Sequence, residues 1–195
     1  MRIVGGRWGG RRLAAVGRGD EAARLRPTSD RVREAVFNAL LHGADAVRLD
    51  GARVLDVFAG TGALGLEALS RGAARATFIE RGRPALALLR ANVDALGAEA
   101  TVLARDATRP GPGTPHDIAF LDPPYGRALG ERALAALLAG GWLAPGAAIV
   151  WEEGGAVASP PGVRILSERR YGDTVVRFGR ADIGKTGSDF WPEIR

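Results

Sequence analysis

The chain of 195 residues has no cysteine. That excludes a disulfide framework and a thiolate zinc site. It also excludes the covalent route by which base-modifying enzymes attack a ring carbon through a cysteine nucleophile. Lysine is nearly missing too: Lys185 is the only one, so the basic side chains are arginines. Histidine is limited to His42 and His116, too few to build a metal site, and both are expected at the surface. No apolar run approaches the roughly 20 residues that a membrane span needs. The opening MRIVGGRWGG lacks the apolar stretch of a secretion signal. The expectation is a cytoplasmic protein without metal or membrane partner.

What is present fits a globular fold. Hydrophobic residues make up 46% and charged residues 25% of the chain, enough apolar material for one domain with a full core. The net charge of +5 is unevenly spread. Residues 1–33 carry nine arginines against three acids, a net +6, so the other 162 residues carry −1. A genome rich in G and C explains arginine in place of lysine. It does not explain the excess at one end, which reads as a polyanion-binding arm.

Short apolar pieces, Ile3–Val4 and Leu13–Val16, alternate with the Gly-rich turns RWGG and GRGD. They predict two or three short strands in a small hairpin layer over residues 1–28. A helix from about Asp30 to Leu41 follows, capped by Thr28 or Ser29, with Val32, Val36, Ala39 and Leu40 at helical spacing. From Arg53 the pattern changes. Apolar runs at Val54–Phe58, Ala76–Ile79, Ala100–Leu103, Ile118–Leu121 and Ala147–Trp151 read as buried parallel strands. Helical stretches near Ala63–Ser70, Pro84–Leu96 and Glu131–Leu138 separate them. The succession predicts an α/β domain over residues 29–181, a Rossmann-like sheet with helices on both faces. Two further strands, about Arg164–Glu168 and Thr174–Phe178, are joined only by RRYGD. That link is too short for a parallel crossover, so these strands must pair antiparallel. Residues 182–195 show no period and read as a tail.

VLDVFAGTGALGLEAL places Gly60, Gly62 and Gly65 between the first strand and its helix. The spacing is literally GxGxxG, so a dinucleotide-binding oxidoreductase that uses NAD is a serious reading. Asp56, just before the glycines, would repel a pyrophosphate yet can organise water or an ammonium group. Glu80 ends the second strand, where a carboxylate accepts hydrogen bonds from both ribose hydroxyls. It supports an adenosine ligand without choosing between NAD and S-adenosylmethionine. Asp106, after the third strand in LARDAT, is a candidate acceptor for an adenine amine, or a simple turn acid.

IAFLDPPYG ends the fourth strand and decides between them. It sets Asp122, Pro123, Pro124 and Tyr125 at the carboxyl edge of the sheet, where open α/β sheets bind ligands. An exocyclic base amine is a poor nucleophile because its lone pair is delocalised into the ring. To attack a methyl group its nitrogen must move toward tetrahedral geometry, with its protons held by acceptors. Asp122 supplies one acceptor and a backbone carbonyl, that of Pro123, another. The prolines stiffen the loop and remove two N–H donors that would repel the amine. Tyr125 can stack on a base flipped out of its helix. A dehydrogenase has no use for this loop.

With these motifs the chain resembles the class I methyltransferases that modify exocyclic amines, and most specifically the bacterial 16S ribosomal-RNA guanine-N2 methyltransferase family. The resemblance covers about residues 1–180 and rests on MRIVGGRWGGRRL, RPTSDRVREAVFNAL, VLDVFAGTGALGLEAL, the FIE strand end and LDPPYG. It implies a seven-stranded, mostly parallel sheet with an antiparallel last strand. It also implies S-adenosylmethionine as cofactor, with Asp56, Ala59, Gly60 and Gly62 along its methionine part, Glu80 at the ribose and Asp106 with Ala107 at the adenine. Asp122 through Tyr125 would hold the guanine, and Arg26 and Thr28 would approach cofactor and substrate. The arginine-rich hairpin, with Arg7, Arg11 and Arg12, would grip phosphates of 16S ribosomal RNA, free or in a small-subunit particle, and a monomer is usual for the architecture. Adenine-N6 methylation of RNA or DNA stays an alternative, because DPPY alone is shared with such enzymes. A glutamine-N5 protein methyltransferase would show Asn in place of Asp122, and an idle RNA-binding module would have lost Asp122 or the glycines.

Overall fold

The computed structural model describes residues 1–15, 30–44, 46–172 and 174–183. Among them four α-helices are seen: α1 (Asp30–His42), α2 (Ala63–Ser70), α3 (Arg83–Leu96) and α4 (Leu129–Ala139). The strands are β1 (Arg53–Val57), β2 (Arg75–Glu80), β3 (Ala100–Ala104), β4 (His116–Leu121), β5 (Leu143–Glu153), β6 (Val163–Tyr171) and β7 (Thr174–Ala181). They form one seven-stranded sheet in the order β3-β2-β1-β4-β5-β7-β6. The first five pair in parallel, and β7 lies antiparallel between β5 and β6. This is the Rossmann-like sheet that the strand pattern predicts, with the seven strands and the antiparallel end that the resemblance to class I methyltransferases implies.

Both faces of the sheet are covered, as a parallel sheet requires. Along β1, Val54 packs with α1, α2 and α3, while Leu55 and Val57 pack with α4 on the opposite face. The alternation follows from the two-residue period of a strand. It also points Asp56 toward α2. Phe37 of α1 and Phe120 of β4 are fully buried and meet at a centroid distance of 5.5 Å. Trp142 and Trp151 lie in the core on the α4 side, as expected. His116 corrects an expectation: it is buried, not at the surface. Its Nδ1 meets the Trp142 carbonyl at 3.1 Å and its Nε2 the Thr77 hydroxyl at 2.9 Å, so both ring nitrogens are satisfied inside the fold.

Local chemistry sets several boundaries. Pro84 stands in the first turn of α3, where its missing N–H costs nothing. Gly97 closes that helix in the left-handed region at φ 56. The link between β6 and β7 is shorter than RRYGD suggests. The ladder runs on to Tyr171, which pairs with Thr174, so only a two-residue turn remains. The extra β6 residues include Arg169 and Arg170, exposed charges of the kind that guard an edge strand.

At the amino terminus, one isolated antiparallel bridge, Arg2↔Arg12, and a 3₁₀ turn at Gly6–Trp8 stand where short strands were expected. The segment is seated in the main core through Ile3, Trp8 and Leu13. The proposed cap residues Thr28 and Ser29, the remainder of the arm and the tail after Ile183 lie outside the described residues. Among the described residues no helix is long and apolar enough to cross a membrane.

Candidate active site

The chain reverses its winding direction between β1 and β4. From β1 it proceeds outward through β2 to β3, and from β4 outward through β5. Ligands bind outside the carboxyl ends of strands at such a switch point. β1 and β4 are neighbours in register, Val57 opposite Leu121. The glycine loop that follows β1 and the Asp-Pro-Pro-Tyr loop that follows β4 therefore start side by side.

The glycine loop is held at its backbone. Phe58 leaves β1 at φ 60, an uncommon conformation for an aromatic residue and one that clusters at functional sites. The Gly62 N–H donates to the Ala59 carbonyl at 2.7 Å, closing a tight turn. Gly65 is required for a different reason. A Cβ there would lie 2.4 Å from the Phe78 ring, so its absence lets α2 pack closely on β2. The Gly65 N–H then donates to Asp56 Oδ2 at 2.8 Å. Asp56 is buried, and burial pushes its carboxyl up to about 8; the Gly65 hydrogen bond opposes the rise and the Glu80 carboxylate adds to it.

Glu80 links two loops. Its Oε2 accepts from the Gly60 N–H at 2.9 Å, and its Oε1 accepts from the N–H groups of Arg81 and Gly82 at 2.8 and 2.6 Å. A carboxylate offers about four acceptor positions, so acceptor capacity remains. Asp106 accepts from the Thr108 N–H and hydroxyl through Oδ1 and from Arg81 through Oδ2. The Thr108 bonds, with Arg81 contributing, hold its pKa below the usual carboxylate range. Beside it Ala107 is buried. Asp56, Ala59, Gly60, Gly62, Glu80, Asp106 and Ala107 thus line the carboxyl ends of β1, β2 and β3 in turn.

In the second loop the Asp122 N–H reaches toward the Val57 carbonyl at 3.4 Å, Pro123 is buried and Pro124 is exposed. Tyr125 is more constrained than a free stacking platform. Its hydroxyl lies 3.0 Å from Glu152 Oε1 and 3.2 Å from Thr174 Oγ1. Burial, above all, pushes that phenol up to about 12, which removes it from acid–base work near neutrality. The ring rests on Gly154, where a Cβ would come within 2.8 Å of it. Tyr125 also walls a cavity of about 500 Å³ with Gly126, Ala128, Glu131, Glu153 and Val157. Burial raises the pKa of Glu153. Glu131 Oε2 is buried with no hydrogen-bond partner among the described residues.

Arg7, Arg11 and Arg12 are exposed on the arm, and Arg7 stacks over Trp8 at 4.1 Å. Trp8 itself is buried, its N–H backbone group donating to Ser70 Oγ at 2.9 Å. Arg26 and Thr28 fall outside the described residues. Besides Arg33 of α1, which donates to the Arg2 carbonyl, three polar anchors of the arm on α2 and α3 escaped the sequence reading. Glu67, fully buried, accepts from the N–H groups of Val4 and Gly5 and from Arg71 and Arg33. Ser70 and Asn92 are the others. A polar residue on the apolar stripe of α2 or α3 is the only local signal each one offers.

The family model described as "Conserved hypothetical protein 95" matches residues 1–180. The chain is 41% identical over 196 residues to the "Ribosomal RNA small subunit methyltransferase D" of Escherichia coli (strain K12), covering 97% of this chain and 94% of that protein. A protein of the same name from Haemophilus influenzae is 37% identical over 159 residues, 78% of each chain. Among solved structures, yhhF from Escherichia coli superposes with a TM-score of 0.78 at 38% identity, covering 93% of this chain and 98% of that one.

Proposed function

The chain belongs to the Conserved hypothetical protein 95 family, with ribosomal RNA small subunit methyltransferase D among its relatives, and on that premise we propose that it methylates the exocyclic N2 amine of a guanine in 16S ribosomal RNA from S-adenosylmethionine. The observation that carries the reading is the placement of an acid-flanked glycine loop beside Asp122-Pro-Pro-Tyr at the switch point. The donor set fits this cofactor better than a dinucleotide. The Glu80 carboxylate already adds to the cost of ionising Asp56, so a pyrophosphate would add like charge, whereas an ammonium and a sulfonium would relieve it. Asp56, Ala59, Gly60 and Gly62 would hold the methionine part, Glu80 the ribose, and Asp106 with Ala107 the adenine; Arg26 and Thr28 would approach cofactor and substrate.

Bound there, S-adenosylmethionine supplies an electrophilic methyl group. The chain's own residues prepare the nucleophile. Asp122 and the Pro123 carbonyl accept hydrogen bonds from the amine's two N–H groups, drawing its nitrogen out of conjugation and freeing the lone pair to form the N–C bond as the methyl's bond to sulfur breaks. Asp122 is the first resting place for the proton released. Pro124 keeps the loop stiff, and Tyr125, locked by Glu152 and Thr174, forms the wall against which the base is seated. The Arg7, Arg11 and Arg12 guanidiniums bind RNA phosphates and orient the substrate. The protein would act as a monomer on free RNA or on a small-subunit particle.

The test is methyl transfer from labelled S-adenosylmethionine to RNA and to small subunits from cells lacking the enzyme, followed by nucleoside identification by mass spectrometry. N2-methylguanosine at one position is expected, lost in Asp122→Ala while cofactor affinity is kept. Label on adenine N6 would overturn the base assignment, and equal loss of transfer and cofactor binding in the variant would overturn the role of Asp122.

A further inference from the structure

The arm and the glycine loop meet at one buried side chain. Helix α3 turns Ala85, Leu86, Leu89 and Leu96 into the core, and Asn92 stands on the same stripe, 2% exposed. An amide buried there without partners would be costly. It is fully partnered. Its Oδ1 accepts from the Ala14 N–H at 2.7 Å, and its Nδ2 donates to the Ala14 carbonyl at 3.1 Å and to the Thr61 carbonyl at 3.0 Å. Ala14 lies two residues beyond Arg12, and Thr61 sits between Gly60 and Gly62. The same two segments touch again where the Thr61 hydroxyl faces Met1 Sδ at 3.9 Å.

The Thr61 peptide is flanked by glycines at φ 56 and φ 80, residues that resist rotation least. Glu80 fixes the Gly60 N–H on one side of the loop, and Asn92 fixes the Thr61 carbonyl on the other. Because one amide plane carries all three bonds, a shift of Ala14 would turn that plane and weaken the bond to the Thr61 carbonyl.

We propose that Asn92 is a positioning residue that couples RNA engagement by the arm to the shape of the cofactor loop, so that each ligand tightens binding of the other. The inference rests on the arm binding RNA and the loop binding S-adenosylmethionine. Coupling of this kind is reciprocal by thermodynamic necessity.

The full chain is titrated with S-adenosylhomocysteine by calorimetry, with and without saturating 16S ribosomal-RNA transcript. RNA should tighten cofactor binding by roughly 5-fold or more, the low end of ordinary coupling between sites. Asn92→Asp keeps the acceptor for Ala14 and loses both donors; Asn92→Leu keeps the volume and loses all three bonds. In both the tightening should fall toward unity. Variants that melt earlier yet keep the full tightening would reduce Asn92 to a structural role and overturn the proposal, as would a wild type with no tightening. Independently of any variant, RNA alone should slow amide exchange at Thr61 and Gly62 in the wild type, and unchanged exchange counts against it. Unaltered RNA affinity on joint replacement of Arg7, Arg11 and Arg12 by alanine would instead remove the arm's role, and the proposal with it.

Discussion

Replacing Asp56 by asparagine isolates the charge of one buried group. The carboxyl is 2% exposed, accepts from the Gly65 N–H at 2.8 Å and has a pKa of about 8 against 3.8 for a free aspartate. Asparagine has the shape of the neutral acid and keeps an acceptor for Gly65. Between the two pKa values the unfolded chain has lost this proton and the folded chain has kept it. Stability therefore falls as pH rises through that window, by about 1.4 kcal/mol per pH unit from this group alone. It levels off once the folded carboxyl has ionised. Asp56→Asn removes the slope. Urea unfolding followed by circular dichroism at about pH 5 to about pH 9 should show the variant gaining on the wild type at that rate up to pH about 8, then holding a constant margin. Parallel curves would refute the burial argument. Cofactor binding supplies the opposite sign: a cation near Asp56 favours its ionised form, so the wild type should release a proton on binding below pH about 8. Calorimetry in buffers of differing ionisation heat should detect that proton, and should find none for Asp56→Asn, which binds more weakly.

Glu80→Gln keeps the size of the side chain but not its charge, and should weaken S-adenosylhomocysteine binding by about 1–3 kcal/mol, the scale of a charge-assisted hydrogen bond; unchanged affinity would contradict the ribose assignment. Alanine at Arg7, Arg11 and Arg12 together should lower RNA affinity and flatten its dependence on salt, because fewer counterions are released. An unaltered slope in a filter-binding series would place the RNA grip elsewhere. Gly154→Ala puts a methyl group within 2.8 Å of the Tyr125 ring, which must move. Turnover on RNA should drop while cofactor affinity holds, and steady-state kinetics that leave kcat and KM unaltered would show that the ring's seat is irrelevant to the base.

Elements and motifs were legible in this sequence where the determining forces are local. Short apolar runs and the 3.6-residue period placed all seven strands and four helices, and the short link before Thr174 required an antiparallel pair before any register was known. The motifs carried their positions with them, since strand ends decide what a following loop can face. What stayed hidden acts at a distance along the chain. His116 is polar and follows the loop of β3, so nothing nearby announces that Thr77 and the Trp142 carbonyl will enclose it. Tyr125 offers a stacking ring to the eye, but its lock is made by Glu152 and Thr174, on strands later in the chain.

Glu67, Ser70 and Asn92 show the same limit from the other side. Each is a polar residue on an otherwise apolar helical stripe, and each would be costly were it not satisfied by backbone from residues more than sixty positions earlier. An apolar residue at these positions would pack the helices as well and hold nothing. The polar choice makes sense only if the arm must sit in one place, because backbone donors and acceptors give direction where apolar contact does not. Glu67 and Ser70 lie on α2, whose first turn is continuous with the glycine loop, and Asn92 reaches that loop directly. The fold therefore fixes its arginine-bearing segment to the two helices that shape the cofactor loop, as well as to α1, where Asp30 and Arg33 hold the Arg2 backbone.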